Sequence, residues 1–538
     1  MWYRYTVHRT LILALVAILA GLATVQGHRS HAASVAWDDC GDGFECAFLP
    51  LPLDYSGVTP GEIQLSIIRL PAGDRSKRIG SLVVNPGGPG ASGVEFVRQW
   101  APDLPDRILD RFDIVGFDPR GIGRSSPITC HSTLIPLTAA DPSPDDEAEF
   151  DALARLTRAF ADECAATYGD VLPYLGTRNV ARDLDRLRAA LGDEKLTYLG
   201  FSYGTEIGQV YASLFPGAIR AMVLDGAVDL SLSGDDRALA QAAGFERALQ
   251  AFAQDCRDTL CSLTRRGDPL RAIDDLFARV EAAPIPARRA NRPAGPGEAL
   301  LGIVTPLYSR ESWPALARAI DTALAGDGTQ LVQLTDQYLE RLPDGSYTNS
   351  TEANLAVNCV DSGPSKLPVR WADYPAAAAR FAAVSPRFGP AVAVGLSCAN
   401  WAAPPDPTSP PTATGAPPIL VVSTTGDPAT PYEWGVAVAR QLPGAALLTF
   451  DGEGHTAYSS GDRCVDNAVD AYLVQLKVPA PGAACPSGAA DDTGEMDDIF
   501  GSRDSGGGMG AVLRSLAVLT VLAAAIAGLA AFARASHR

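Results

Sequence analysis

Three side chains of this 538-residue chain stand in an order that suits acyl transfer: Ser202, Asp427 and His455. Ser202 lies in Gly200-Phe201-Ser202-Tyr203-Gly204. The residues before it, 195–199, read as a strand, and those from Thr205 onward have helical spacing. Glycines on both sides of a serine at such a junction allow a tight turn that lifts the hydroxyl clear of the backbone. A serine hydroxyl needs a base to take its proton, and the base needs an acid to orient it. Of six histidines, His8, His28 and His31 lie in or near an N-terminal leader, and His537 is at the extreme C-terminus. That leaves His131 and His455. His131 follows Cys130 in a loop and reads as a surface residue. His455 sits in Asp451-Gly452-Glu453-Gly454-His455-Thr456, between a strand-like stretch (446–450) and a helical one (465–476). His455 is the expected base.

The acid is expected between nucleophile and base. Residues 418–423 read as a buried strand that ends in Thr424-Thr425-Gly426-Asp427-Pro428-Ala429-Thr430-Pro431. Asp427 thus stands at the C-terminal end of a strand, where functional residues of open α/β sheets gather. Asp225, after the strand that follows the nucleophile helix, is its rival; a turn or helix cap is the plainer role for it. The Thr430 hydroxyl suits either support of the Asp427 loop or a simple turn. A third segment, Asn85-Pro86-Gly87-Gly88-Pro89-Gly90-Ala91-Ser92-Gly93, follows the apolar strand 81–84. Its glycines let backbone N–H groups approach a developing oxyanion. Gly88 is the expected donor, with Gly87 as the alternative, and Tyr203 after the nucleophile supplies the second N–H. Phosphate binding is not expected, because neither G-K-[ST] nor G-x-G-x-x-G before a helix is present.

These segments need a sheet to carry them. Strands are expected near 63–70, 81–85, 112–117, 196–201, 219–225, 418–423 and 446–450, with helical patterns between them, including 177–191. That alternation predicts an α/β fold with a mainly parallel sheet and helices on both faces. Almost 190 residues separate the strands near 219–225 and 418–423, far more than a loop. The insert is rich in helical stretches such as 235–253 and 269–282, and is expected to cap the active site. The expected division is a leader over 1–33, a core over 34–230 and 404–485, a cap over 231–403, an acidic stalk over 486–510, and a membrane span with a short tail over 511–538.

Together the motifs 85–93, 115–123, 200–205 and 426–431 resemble the secreted tripeptidyl aminopeptidase branch of the proline iminopeptidase family, a branch typical of actinobacteria. Cys46-Ala47 with Pro52-Leu53-Asp54-Tyr55, Asn358-Cys359-Val360-Asp361 and the Cys464…Cys485 region extend the resemblance over about Trp37 to Cys485. It implies an α/β-hydrolase fold with a helical cap and cleavage of short peptides from a free N-terminus; some members act as proteases or esterases. Glu206 departs from the pattern, since relatives often carry an aromatic residue there. An aminopeptidase must bind an ammonium group, and an acidic side chain is the simple means. Asp361, Glu206 and Asp229 are candidates, each with an internal cap, turn or ion pair as the plainer role.

Residues 11–23 form an apolar run behind Arg4 and Arg9, with small residues at Gly27, Ala32 and Ala33, the design of a cleavable export signal. Residues 515–533 are apolar or small and long enough to cross a ~30 Å hydrocarbon core. Arg534, His537 and Arg538 follow, which places that end in the cytoplasm and the catalytic part outside. Ten cysteines suit an exported chain with disulfides. Spacing leaves their connectivity open; neighbours in sequence are the expected pairs, Cys40–Cys46, Cys130–Cys164, Cys256–Cys261, Cys359–Cys398 and Cys464–Cys485.

A net charge of −18 argues against a nucleic-acid partner. No metal or organic cofactor is expected, and oligomeric state is open. A serine at the elbow, rather than a carboxylate, argues against epoxide hydrolase or dehalogenase chemistry. The leading function is a membrane-anchored serine peptidase acting on short or N-terminal peptide segments. A carboxylesterase or lipase acting on envelope or exogenous esters is the alternative, and a non-catalytic surface binder the third.

Overall fold

The computed structural model describes residues 35–130, 132 and 134–487. His131, the expected leader, most of the expected stalk and the expected span over 511–538 lie outside the described residues. Among the described residues no helix is long and apolar enough to cross a membrane.

Strands β1 (Asp38–Asp39), β2 (Glu45–Pro52), β3 (Glu62–Leu70), β4 (Gly80–Asn85), β5 (Phe112–Phe117), β6 (Leu196–Phe201), β7 (Ile219–Asp225), β8 (Leu420–Gly426), β9 (Ala446–Glu453) and β10 (Ala484–Pro486) form one sheet. Their order is β1-β2-β3-β5-β4-β6-β7-β8-β9-β10. The β1–β2, β2–β3 and β3–β5 pairs are antiparallel, and the pairs from β5 through β10 are parallel. β4, β5 and β6 are buried at every residue, which is why they read as continuous apolar runs. Neighbouring side chains still go to opposite faces: Val83 and Tyr198 join one apolar cluster, and Leu82, Val84 and Leu199 the other.

Helices α1 (Gly93–Trp100), α2 (Glu147–Tyr168), α3 (Thr177–Ala190) and α4 (Tyr203–Leu214) precede β7. Among the described residues seven more helices of nine residues or longer lie between β7 and β8: α5 (Gly234–Thr259), α6 (Pro269–Ala282), α7 (Pro296–Leu307), α8 (Trp313–Leu324), α9 (Thr329–Tyr338), α10 (Ser350–Asp361) and α11 (Tyr374–Ala382). α12 (Tyr432–Gln441) and α13 (Arg463–Gln475) follow β8 and β9. α3, α4 and α12 cover one face of the sheet, and α1 and α13 the other. This is the α/β-hydrolase architecture, with helices on both sides of a mainly parallel sheet. Apolar residues from α5 to α9 form a core of their own. α5 runs past Ala253 to Thr259, with Cys256 buried on its inner side.

Five disulfides join Cys40–Cys46, Cys130–Cys164, Cys256–Cys261, Cys359–Cys398 and Cys464–Cys485. No free cysteine remains among the described residues.

One buried ion pair fixes the start of the sheet against α3. The Arg120 guanidinium donates to both oxygens of Asp183, at 2.7 and 2.6 Å. It also donates to the carbonyls of Leu53 (2.8 Å), Tyr174 (3.1 Å) and Pro52 (3.3 Å). Tyr55 adds its hydroxyl to Asp183 at 2.7 Å. Removing one partner of such a pair strands a charge away from water. Arg120→Met is therefore expected to destabilise the fold by about 3–5 kcal/mol in urea unfolding; a loss below about 1 kcal/mol would show the pair to be dispensable.

Candidate active site

Ser202 forms the turn between β6 and α4 with φ 53° and ψ −123°. A non-glycine residue held there carries roughly 1–3 kcal/mol of strain. Its N–H donates to Asp225 O at 2.9 Å, and its carbonyl accepts the Thr205 N–H at 2.8 Å and the Thr205 hydroxyl at 2.6 Å. The turn closes only because its flanks lack side chains. A Cβ on Gly200 would lie 2.4 Å from Gly204 O, and one on Gly204 2.7 Å from Asn85 O.

His455 follows β9 and meets Asp427 from the loop after β8. Both Asp427 oxygens lie 2.9 Å from His455 Nδ1. The carboxylate is buried and accepts N–H bonds from Ala429 and Thr430, each at 2.8 Å, and the Thr430 hydroxyl at 2.8 Å. Thr430 Oγ1 also stands 3.3 Å from His455 Nδ1. Burial alone would push the imidazole pKa down. The charge and hydrogen bond of Asp427, with Asp225 adding to them, hold it above its ordinary value instead. No hydrogen bond joins Ser202 Oγ to His455 among the described residues; such contacts often close only when substrate binds.

Asp225 is placed elsewhere. Its carboxylate accepts the backbone N–H groups of Ala457 (3.0 and 3.1 Å) and Tyr458 (2.8 Å). It therefore holds the chain just after His455 rather than the imidazole. Burial pushes its pKa up to about 6, against the pull of those N–H bonds.

The loop after β4 lies over the elbow: a Cβ on Gly87 would be 2.9 Å from Ser202 Cβ and 3.1 Å from Tyr203 N. The Gly87 N–H donates to Asn85 Oδ1 at 3.0 Å. The N–H groups of Gly88 and Tyr203 have no hydrogen-bond acceptor among the described residues. Ser92, at the far end of the loop, donates to Asp118 at 2.6 Å.

Asp361 and Glu206 are both buried. Asp361 accepts the Thr177 N–H at 2.9 Å and the Thr177 hydroxyl at 2.6 Å. Burial, reinforced by the nearby Glu206 charge, raises the Asp361 pKa well above the carboxylate range. Glu206 accepts the Thr408 hydroxyl at 2.7 Å and pairs with Arg237 at 3.6 Å. Every oxygen of the two carboxylates thus has a protein partner. Asp229 is likewise engaged, by Ser231 and Gln441.

Sequence reasoning did not find Tyr308, Thr177 or the present role of Asp225. The Tyr308 ring stands edge-on to His455 with centroids 5.4 Å apart, and its carbonyl accepts the His455 N–H at 2.9 Å. A cleft of about 300 Å³ opens beside them, with Glu311, Glu453, Asp462 and Arg463 on its walls. No local pattern marks these contacts; only Asp225, at the end of a strand, carried a positional signal.

Residues 80–265 match the family described as "alpha/beta hydrolase fold", and residues 385–485 the family described as "TAP-like protein". The chain is 40% identical over 509 residues to "Serine protease Hip1" of Mycobacterium tuberculosis (strain ATCC 25618 / H37Rv), covering 88% of this chain and 96% of that protein. It is 39% identical over 454 residues to "Carboxylesterase B" of the same strain, covering 82% and 86%. "Tripeptidyl aminopeptidase" of Streptomyces lividans is 32% identical over 491 residues, covering 86% and 88%.

A protonated imidazole cannot act as a base, so with His455 as the expected base its raised pKa is expected to set the acid limb of activity. kcat/KM is expected to rise with pH through a midpoint above 6.5. Asp427→Asn should move that midpoint down and lower kcat by about four orders of magnitude. A wild-type midpoint at or below 6.5 in the pH–rate profile would contradict the pairing.

Proposed function

Because the chain belongs to the tripeptidyl aminopeptidase-like branch of the α/β-hydrolases and is a serine hydrolase, we propose that it is a peptidase releasing short peptides from a free N-terminus. The observation that carries the chemistry is the grip of Asp427 on His455 Nδ1, 2.9 Å from each oxygen, on the same rim of the sheet as the strained Ser202 turn. The peptide as substrate is supported by two relatives, named serine protease and tripeptidyl aminopeptidase.

In this reading Ser202 Oγ attacks the scissile carbonyl carbon and its proton passes to His455 Nε2. Asp427 holds the imidazole in the matching tautomer and stabilises its cation. The Gly88 and Tyr203 N–H groups receive the oxyanion, a role that suits two donors without acceptors of their own. The Gly87 N–H is already committed to Asn85, which favours Gly88 for the first position. The C–N bond then breaks and His455 gives its proton to the departing amine. Water, deprotonated by the same histidine, releases the acyl group from Ser202.

One relative named carboxylesterase supports a second reading, hydrolysis of envelope or exogenous acyl esters by the same three residues. We also place the enzyme outside the cytoplasm. Its five disulfides support that location, with residues 1–33 as export leader and 511–538 as membrane anchor.

A tripeptide anilide with a free amine, its N-acetylated twin and a short acyl ester separate the readings. Selective cleavage of the free-amine anilide is expected, falling more than about a thousandfold in Ser202→Ala. Preference for the ester, with neither anilide cut, would replace the peptidase by an esterase. For location, alkaline carbonate extraction is expected to leave the full chain with the membrane and to release a chain ending at residue 487. Release of both would remove the anchor.

A further inference from the structure

Helix α10 belongs to the long insertion by sequence, yet Ala356, Val357 and Val360 bury in the cluster that contains Tyr198, Tyr203 and Ile207. The core shared by α5 to α9 does not include them. Its first half rests on the loop after β4. Asn354 Nδ2 donates to Pro89 O at 2.9 Å, and a Cβ on Gly90 would lie 2.1 Å from Ser350 O. Asn349, just before the helix, donates to Gly121 O (2.8 Å) and Ile128 O (2.7 Å) and accepts the Gly123 N–H at 3.0 Å.

Its other end reaches the elbow. Asp361 accepts the Thr177 hydroxyl at 2.6 Å, and the Tyr203 hydroxyl stands 2.5 Å from Thr177 Oγ1. The Tyr203 hydroxyl thus shares a hydrogen bond with Thr177, which is itself bonded to Asp361. One helix thus holds both segments that carry the free N–H groups. Asn354 and Asp361 are about 10 Å apart along it, a stiff spacing, and Cys359–Cys398 ties the same turn to the chain beyond α11.

We propose that α10 is a spacer that sets the oxyanion hole, with Asn354 fixing the Gly88 loop and Asp361 fixing Tyr203 through Thr177. This rests on the reading of Ser202 as nucleophile and of Gly88 and Tyr203 as oxyanion donors. Asp361 is then a positioning residue and not the ligand of a substrate ammonium. The two roles differ in what they touch. An oxyanion develops from amide and ester substrates alike, so misplaced donors lower kcat for both. An ammonium ligand acts only on substrates that carry the free amine.

The test uses the full-length enzyme with the free-amine tripeptide anilide and the acyl ester. Thr177→Val keeps the shape of the side chain and removes the relay. It is expected to lower kcat about ten- to a hundredfold on both substrates, with KM changed less than about twofold. Thr177→Ser, which keeps the hydroxyl, should recover most of that loss. Asn354→Ala should produce the same kind of kcat loss from the other end of the helix. Asp361→Asn combined with Thr177→Val should cost no more than Thr177→Val alone, because both cut one chain of contacts. A rise in KM confined to the free-amine substrate, with kcat unchanged, would overturn the proposal and return Asp361 to the ammonium. Unchanged kinetics in Thr177→Val would also overturn it, whether or not Asp361→Asn folds. Full activity in Ser202→Ala would instead remove the nucleophile reading on which it stands.

Discussion

Holding Ser202 at positive φ is the constraint on which the rest of the site depends. The turn is strained, and a strained turn persists only when its surroundings leave the chain no alternative. Here β6 before it is buried throughout and the first ten residues of α4 after it are buried too. The Ser202 N–H is fixed to β7 and its carbonyl to Thr205. Gly200 and Gly204 let the two flanks touch, so the strand and helix cannot be drawn apart without opening the sheet. The hydroxyl is therefore presented by rigid elements rather than by a mobile loop, which is what precise attack requires.

The buried acidic groups share a second constraint. Asp427, Asp225, Asp183 and Asp361 are all buried, and burial disfavours a charge unless donors replace water. Each has them. Asp427 takes three backbone N–H groups, a hydroxyl and the imidazole; Asp225 takes two backbone N–H groups; Asp183 takes a guanidinium and a phenol. The same physics sorts their roles. Only Asp427 hydrogen-bonds the imidazole, while both Asp225 oxygens accept backbone N–H groups that follow His455 and Asp225 adds only its charge. Two carboxylates at neighbouring strand ends thus act on one histidine from two sides, one on its ring and one on its loop.

The insertion contributes a core of its own and a link to the sheet. Helices α5 to α9 bury one another, and Tyr308 at the end of α7 reaches His455 with both ring and carbonyl. α10 instead joins the sheet's core and touches both the Gly-rich loop and the Thr177–Tyr203 pair. The insertion thus contacts both the His455 loop, through Tyr308, and the elbow, through α10.

Much of this was legible along the chain. Apolar runs bounded by turns marked the parallel strands, because strands buried on both faces are made mostly of apolar residues. The Ser202 elbow and the Asp427 and His455 loops were visible because each depends on glycines and strand ends within a few residues. β2 was not anticipated, since Pro50 and Pro52 argue against a strand; the structure tolerates them because β1 covers only Glu45 and Cys46 and leaves the prolines at an open edge. The choice between Gly87 and Gly88 turns on one Asn85 contact, and the placing of Asp225, Asp361 and Thr177 on partners 232 and 184 residues away. Local sequence determines what a segment can become, because propensity and turn chemistry act over a few residues. Which buried carboxylate meets which donor was decided only by tertiary packing, because desolvation penalises every unmatched pairing and the sequence carries no record of the matched one.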